Sequence, residues 1–244
     1  MKRSGTIHGV GLGPGDPDLM SVKAHRLLTG AQHIAFFRKE GRAGRARTLA
    51  GDLVPETAEE FAMEYPVTTE IPLSDPRYNE MLATFYTACC DRLAELANAG
   101  SDVVVLCEGD PFFYGSFMHL HERLEGKVPV EVVPAITGMS AAWTATGKPI
   151  TWGDDVLTVL MGTLSEDELA RRMALSDALV VMKVGRNLPK VRAALARAGM
   201  ANAAWLVECA AMEDQTVQRL SDVPQDYRPP YFSIVLVHGE GRRP

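Results

Sequence analysis

Two short stretches of this sequence combine strand ends, glycines and polar groups in a pattern that suits a small-ligand site. The first, Cys107-Glu-Gly-Asp-Pro-Phe-Phe-Tyr-Gly115, directly follows Asp102-Val-Val-Val-Leu106, an apolar run typical of a buried strand. It places Gly109, Asp110 and Pro111 at the carboxyl end of that strand, where open α/β sheets bind their ligands. The turn exposes backbone groups and one fixed carboxylate. It therefore predicts a site for a small polar ligand that carries an amine.

The second stretch, Val132-Val-Pro-Ala-Ile-Thr-Gly-Met-Ser140, repeats this arrangement. Val130–Val133 is predicted to be a strand, and Thr137-Gly-Met-Ser140 is predicted to enter a helix. The two stretches together are expected to form one ligand site.

A third glycine-rich segment, Gly9-x-Gly11-x-Gly13-x-Gly15, invites comparison with dinucleotide-binding loops. Those loops need G-x-G-x-x-G, and counting from Gly11 the last glycine falls on Asp16, whose carboxylate would repel a phosphate. Arg38, after the second predicted strand, lies where an arginine could contact NADP, so this alternative stays open. A tight strand-to-helix turn that binds nothing is another reading of the segment.

Composition narrows the class of protein. The 244 residues suffice for one large or two small domains, and 46% hydrophobic with 23% charged residues is ordinary for a globular protein. No apolar run reaches the roughly 18 residues of a membrane span. The formal net charge of −6 disfavours general nucleic-acid binding. Four cysteines without a C-x-x-C spacing indicate neither a zinc site nor a redox pair, and a cytoplasmic location is expected.

The elements that must position these loops alternate along the chain. A βαβ-like first part is followed by a last third mixed enough to include antiparallel pairing. The best boundary is Gly126–Pro129, which predicts two α/β domains, 1–125 and 126–244. The opening Thr6-Ile-His-Gly-Val-Gly-Leu-Gly13 is expected to be a first strand that runs into a glycine loop. Further strands are expected at 33–37, 102–106, 130–133, 157–161, 178–183, 204–209 and 231–238, and helices at 17–28, 79–99, 115–124, from about 140, 166–173 and 188–198. Between them, residues 38–47 are expected to form a mobile basic loop.

Several motifs, in this order, resemble the tetrapyrrole (corrin/porphyrin) methyltransferases. They are Val10-Gly-Leu-Gly-Pro-Gly-Asp-Pro-Asp-Leu19, Gly109-Asp-Pro-Phe-Phe-Tyr-Gly115, Val133-Pro-Ala-Ile-Thr-Gly-Met-Ser-Ala141 and Lys148-Pro-Ile-Thr151. The resemblance implies two α/β domains with the active site in the cleft between them, S-adenosylmethionine as methyl donor, and a homodimer. The first domain would lie on the substrate side and the second on the adenosine side. Ala135 departs from the family, which usually has glycine there.

Within the family, the segments 64–69, 109–117 and 148–155 are most similar to the branch that methylates C20 of precorrin-2, giving precorrin-3A in cobalamin biosynthesis. Three alternatives remain. The substrate could be another tetrapyrrole, such as cobalt-factor II, another precorrin or uroporphyrinogen III. It could be a protein or RNA. The chain could also be a non-catalytic nucleotide-binding module.

The resemblance also implies a set of site residues. Those expected to bind the donor are Gly109, Asp110, Phe113, Thr137, Gly138, Met182, Ala210, Ala211, Phe232, Ser233 and Ile234. Pro14 and Asp16, in the first glycine loop, are expected to bind the substrate. Arg38, Arg42 and Arg45 are expected to bind it too, because the acetate and propionate groups of a tetrapyrrole such as precorrin-2 need local positive charge. Asp16 and Tyr114 are the candidate catalytic residues, and no metal ligand is predicted.

Overall fold

The computed structural model describes residues 3–68, 71 and 75–242, and its internal contacts divide the chain into two compact units, Met1–Thr137 and Gly138–Pro244. Within the described ranges, no helix has the length and apolar character needed to cross a membrane. Each unit is built on its own five-stranded sheet.

The first sheet is entirely parallel, in the order β3-β2-β4-β1-β5. Its strands are β1 (Ile7–Gly11), β2 (His33–Lys39), β3 (Glu59–Tyr65), β4 (Val103–Cys107) and β5 (Val130–Val133). Its helices are α1 (Val22–Thr29), α2 (Arg45–Ala50), α3 (Pro76–Asn98) and α4 (Phe117–Leu124). Helices α3 and α4 pack on one face and α1 and α2 on the other, so β1 and β4 are buried along their whole lengths. All five carboxyl ends consequently lie at one edge of the sheet.

The second sheet is mixed, in the order β6-β7-β10-β8-β9. Its strands are β6 (Leu157–Met161), β7 (Ala178–Met182), β8 (Trp205–Glu208), β9 (Thr216–Arg219) and β10 (Ser233–Val237), and its helices are α5 (Gly138–Ala145), α6 (Glu166–Met173) and α7 (Leu188–Arg197). The final strand, β10, runs antiparallel between β7 and β8. The antiparallel pairing expected in the last third is therefore confirmed.

Several elements differ from the sequence predictions. The helix expected over 17–28 is a 3-10 turn at Pro17–Leu19 followed by α1, because the Ser21 side chain accepts the N–H of Ala24 and starts a new helix. Strands β3 and β9 and helix α2 were not predicted. Strand β5 pairs with β1, so it belongs to the first unit although the expected boundary precedes it.

The basic loop expected over residues 38–47 is shorter in the structure than predicted, because both ends of the segment belong to regular elements. Arg38 and Lys39 are the last residues of β2, and Arg45 and Arg47 lie in α2. The connection folds back tightly, since a Cβ on Gly44 would come within 2.6 Å of the Phe36 ring. The segment is thus held against the sheet.

Candidate functional site

The carboxyl ends of β1 and β4 are joined by backbone hydrogen bonds beyond the strands themselves. The N–H of Leu12 donates to the Cys107 carbonyl, and the N–H of Gly109 donates to the Gly13 carbonyl, both at 3.0 Å. The loops after these neighbouring strands are therefore fixed to each other. We call the loops that follow β1, β4 and β5 (residues 12–16, 108–116 and 134–137) the glycine edge.

The Asp110 carboxylate connects two loops of the glycine edge. Its Oδ1 accepts the N–H of Phe112 at 2.9 Å, and its Oδ2 accepts the N–H of Ala135, in the loop after β5, also at 2.9 Å. The expected fixed carboxylate is present, but each of its oxygens already holds a backbone N–H. Asp110 is therefore first of all the group that sets the distance between these loops.

Gly11 is needed because the three loops approach closely. A Cβ at this position would lie 2.6 Å from the Ala135 Cβ and 2.7 Å from the Gly109 carbonyl oxygen. Gly109 itself has φ +62°, a conformation that favours glycine. Ala135, where the family usually has glycine, has no positive φ. Its methyl group instead packs where Gly11 leaves room.

Large apolar side chains are exposed at the glycine edge. Phe112, Tyr114 and Ile136 are 48%, 46% and 40% exposed. Tyr114 has φ +56°, an uncommon conformation for a bulky residue, and its ring meets that of Phe113 edge-on at 4.9 Å. Exposed apolar groups beside exposed backbone polar groups are the surface that a large, flat, partly apolar ligand requires.

The two expected substrate residues of the first loop differ in exposure. Pro14 is buried, whereas Asp16 is exposed. The Asp16 Oδ1 accepts the N–H of Asp18 at 2.9 Å and caps the Pro17–Leu19 turn, while no contact to its Oδ2 is described. One oxygen of Asp16 thus faces solvent at the glycine edge.

The basic residues near this edge divide into two kinds. Arg38 pairs with Glu64, its direct neighbour on β3, at 2.6 Å, and Arg47 binds both oxygens of Glu60 at 2.9 Å. Arg42 and Arg45 are exposed. Arg38, expected to meet a substrate carboxylate, therefore already contacts a carboxylate of the protein.

Glu108 is a polar residue at this edge that sequence reasoning did not single out. It follows β4 directly, and its carboxylate accepts the backbone N–H of Ala46 in α2, close to the charge of Arg45. Burial raises the pKa of Glu108, although Arg45 and the N–H of Ala46 partly oppose that effect. Glu108 thereby ties the segment that carries Arg45 to the Gly109 turn. Only its place at a strand end could have suggested it.

In the second unit, the remaining expected donor residues lie at one edge of the sheet. Because β10 runs antiparallel, its first residues lie beside the carboxyl ends of β7 and β8. We call this set, residues 182–183, 209–211 and 232–233, the bent edge. The N–H of Cys209 donates to the Phe232 carbonyl at 2.8 Å, which joins two of its three segments. The side chain of Ser233 is buried and its Oγ donates to the Pro230 carbonyl, so Ser233 presents only backbone to a ligand.

Unusual backbone conformations concentrate at the bent edge. Of the four non-glycine residues with positive φ in the described part of the chain, three lie here, namely Lys183 (54°), Cys209 (48°) and Ala211 (63°). Such conformations cost about 1–3 kcal/mol each and cluster at ligand sites. The N–H of Ala211 is held by the Gln215 side chain at 2.8 Å. The strained turn after β8 is therefore stabilised from within its own loop.

Helix α5 begins at Gly138, directly after Thr137, as the sequence indicated. It packs on β8 and β10, and a Cβ on Gly138 would lie 3.9 Å from the Ile234 Cδ1. Ile234 belongs to the buried apolar cluster beneath this helix, and Met182 and Ala210 are partly buried and pack against that cluster. The expected donor residues of the second unit are thus brought together, with apolar side chains below and backbone polar groups above.

One cavity of about 110 Å³ lies at the opposite edge of the first sheet and is lined by residues such as His33, Glu59 and Val103. It contains none of the expected site residues. The candidate site is therefore identified by the loops that meet at the strand ends and not by this cavity.

The fold and these loop motifs define a class of methyl-transferring enzymes, and residues 6–223 match the family of tetrapyrrole (corrin/porphyrin) methylases. The chain belongs to this family. Over 240 residues, and 98% of each chain, it is 48% identical to precorrin-2 C(20)-methyltransferase from Sinorhizobium sp.. It is 28% identical over 239 residues to cobalt-precorrin-2 C(20)-methyltransferase from Salmonella typhimurium, covering 96% of this chain and 97% of that one.

Among solved structures, it is similar to uroporphyrin-III C-methyltransferase from Thermus thermophilus complexed with S-adenosylhomocysteine. That chain is 26% identical with a TM-score of 0.67, and the match covers 97% of this chain and 98% of that one. The family and the two-sheet α/β fold expected from the motifs are therefore confirmed.

Proposed function

We propose that this protein transfers the methyl group of S-adenosylmethionine to C20 of precorrin-2, forming precorrin-3A in cobalamin biosynthesis. The observation that carries the proposal is the 48% identity, along 98% of both chains, to a relative with this named activity. The matched length covers both the glycine edge and the bent edge.

We assign donor binding to backbone groups at both edges. In the first unit these belong to Gly109, Asp110, Phe113 and Thr137. In the second unit they belong to the bent-edge residues Met182, Ala210, Ala211, Phe232 and Ser233, together with Gly138 and Ile234 next to that edge. Two features support this assignment: the left-handed backbone of Gly109 and Ala211, and the apolar cluster under the bent edge, which suits an adenine ring.

The chemistry needs little from the protein beyond alignment. The nucleophile is the enamine-like C20 carbon of the reduced tetrapyrrole. A carbon–carbon bond forms to the methyl group as its bond to sulfur breaks, and the substrate then loses the proton from C20. The protein must hold carbon, methyl and sulfur in line and exclude water. We assign the proton to the free oxygen of Asp16, with Tyr114 as the second candidate.

The substrate's carboxylates would be met by Arg42 and Arg45, with Pro14 and Arg38 beside them. Replacing Arg42 and Arg45 together with glutamine should raise the apparent KM for precorrin-2 and leave donor affinity unchanged. The difference should shrink at high salt, because exposed charges are screened over roughly 10 Å at 0.1 M ionic strength. Arg242→Gln, in the tail, is the matched control. Equal KM values in both variants would remove these arginines from the substrate site.

The decisive assay uses purified protein, precorrin-2 and S-adenosylmethionine carrying a ¹³C methyl group. The proposal requires a product one methyl heavier whose ¹³C signal couples to the C20 position. A labelled methyl on any other carbon would keep the family and overturn the regiochemistry. Donor binding without turnover on any tetrapyrrole would favour a nucleotide-binding module.

A cobalt-bearing substrate is a second candidate, favoured by the 28% identity to the cobalt-precorrin-2 enzyme. Competition between equal concentrations of precorrin-2 and its cobalt complex, read as the ratio of kcat/KM values, separates the two. The higher identity to the metal-free relative predicts a ratio in favour of precorrin-2.

We also propose a homodimer in the cytoplasm. Light scattering on the purified protein tests the first part, because a mass of 26.6 kDa would mean a monomer. Fractionation of the producing cells tests the second.

A further inference from the structure

Positive charge collects at the edge of the second sheet opposite the bent edge. Trp205 begins β8, Arg219 ends β9 directly opposite it, and His238 follows β10. Lys148, after α5, completes the group. We call these four residues the cationic edge. They are separated by many residues along the chain and meet only because β8 runs antiparallel to both β9 and β10.

Trp205 organises the group. The Arg219 guanidinium carbon lies 4.0 Å from the centre of the Trp205 ring, and the Lys148 Nζ lies 5.7 Å from it. The His238 ring meets Trp205 edge-on at 6.4 Å. Cation–π contacts of this kind place cations without neutralising them.

Among the residues that the structure describes, neither Lys148 nor Arg219 forms an ion pair with a carboxylate, and the side chain of Arg219 donates to the Ala203 carbonyl at 3.3 Å. The nearby Asp155 carboxylate lies against Gly239, where it accepts the backbone N–H groups of Trp152 and Gly241. The charged groups that act on His238 are Lys148 and Arg219, both cations. In a protein with a net charge of −6, this edge is locally positive.

The hydrogen bonds of His238 are compatible with its charged form. The Nδ1 must donate to the Pro149 carbonyl, 2.8 Å away, because a carbonyl only accepts. The Thr146 hydroxyl lies 2.7 Å from the Trp143 carbonyl and 3.0 Å from the Nε2 of His238. When this hydroxyl donates to the carbonyl, its oxygen can accept an N–H from the Nε2. An imidazolium would satisfy both partners.

Burial, followed by the charges of Lys148 and Arg219, nevertheless lowers the pKa of His238. The hydrogen bond to the Pro149 carbonyl favours the protonated form of His238, while desolvation and the two cations disfavour it. An anion bound by Lys148 and Arg219 would remove part of that opposition.

We propose that the cationic edge binds a small oxyanion, a carboxylate or a phosphate-like group, through Lys148 and Arg219, and that His238 takes up a proton when the anion binds. Binding and protonation are then linked, so each favours the other by the same factor. The site lies at the opposite edge of its sheet from the expected donor residues, and the proposal does not depend on the methyl-transfer assignment.

The test is an NMR titration of the histidine rings, with His238 assigned from the spectrum of His238→Gln. Sulfate is the probe because its charge is constant over this pH range, and chloride at the same ionic strength is the reference. We expect sulfate to raise the pKa of His238 by about one unit, equal to a tenfold change in affinity between the two protonation states. The exposed His25 should respond equally to sulfate and chloride. Acetate in a parallel arm distinguishes a carboxylate site from one that takes only tetrahedral oxyanions.

Arg219→Gln and Lys148→Gln should each abolish the specific response, whereas Arg228→Gln, an exposed arginine of the same unit, should retain it. Lys148 is exposed, so its variant is expected to fold normally even if Arg219→Gln does not. The proposal is overturned if neither anion moves His238 more than His25. It is also overturned if the folded Lys148 variant responds as the wild type does.

Discussion

The Asp110 carboxylate offers the sharpest test of how the glycine edge is built. Replacing Asp110 with asparagine keeps the shape but leaves one oxygen, so only one of the two N–H groups at 2.9 Å can still be accepted. The new amide group then faces the other N–H, donor to donor. A lost charge-assisted hydrogen bond with its donor left unpaired costs about 1.5–3 kcal/mol.

Two measurable consequences follow for Asp110→Asn. The melting temperature should fall by about 3–12 °C, given roughly 2–4 °C per kcal/mol for a chain of this size. Donor affinity, measured by calorimetry with S-adenosylhomocysteine, should fall at least about tenfold, or 1.4 kcal/mol. The second effect is expected because the loops carrying Gly109 and Ala135 lose their fixed separation.

Asp102→Asn is the matched control. The Asp102 Oδ1 accepts the N–H of Thr6 at 2.7 Å, at the amino end of β4 and so at the opposite edge of the sheet. It should lower the melting temperature by a few degrees, since a comparable backbone contact is weakened, and leave donor affinity unchanged. If Asp110→Asn lost stability but bound the ligand like the wild type, the claim that this carboxylate shapes the donor site would be refuted.

Three further outcomes are expected. Gly11→Ala should sharply weaken donor binding because its Cβ would lie 2.6 Å from a neighbouring methyl group, whereas Gly30→Ala, with 3.3 Å to its nearest atom, should not; calorimetry compares them. Because the pKa of Glu108 is raised in the folded protein, the stability that Glu108 contributes is fully present below about pH 4.5 and is lost as the pH rises through the pKa of the folded state. Urea unfolding should therefore show Glu108→Gln gaining stability relative to the wild type between pH 4 and 7. Burial raises the pKa of Cys89 to about 12 and of Cys90 to about 11, so iodoacetamide at pH 8 should modify neither until urea unfolds the protein, and rapid labelling of the native state would contradict their burial.

The sequence predicted most of the buried framework. Strands β1 and β4 could be predicted from their apolar residues, because strands covered on both faces carry few polar residues. Strand β3, Glu59–Tyr65, was missed since it lies at the edge of its sheet and three of its seven residues are glutamates. Two of those glutamates pair with Arg38 and Arg47, a fact that no local spacing shows.

The candidate site was accessible to sequence reasoning only in part. The Gly109-Asp110 turn was correctly placed at a strand end, but the partner of Asp110, the N–H of Ala135, lies 25 residues away and depends on β5 packing beside β1. The role of Glu108 could not be predicted, because the residues that its carboxylate contacts belong to α2, a helix that was not predicted. The roles of the individual donor and substrate residues remain predictions.

The position of β10 has a consequence for how the protein forms during synthesis. This strand, the last one along the chain, lies between β7 and β8 and pairs with both. Until residues 233–237 leave the ribosome, β7 and β8 have no common neighbour and the second sheet exists only as two separate strand pairs. The first sheet, by contrast, is complete in sequence by Val133. The second unit therefore presents unpaired strand edges late in translation, and its sheet needs the C-terminal segment to be completed.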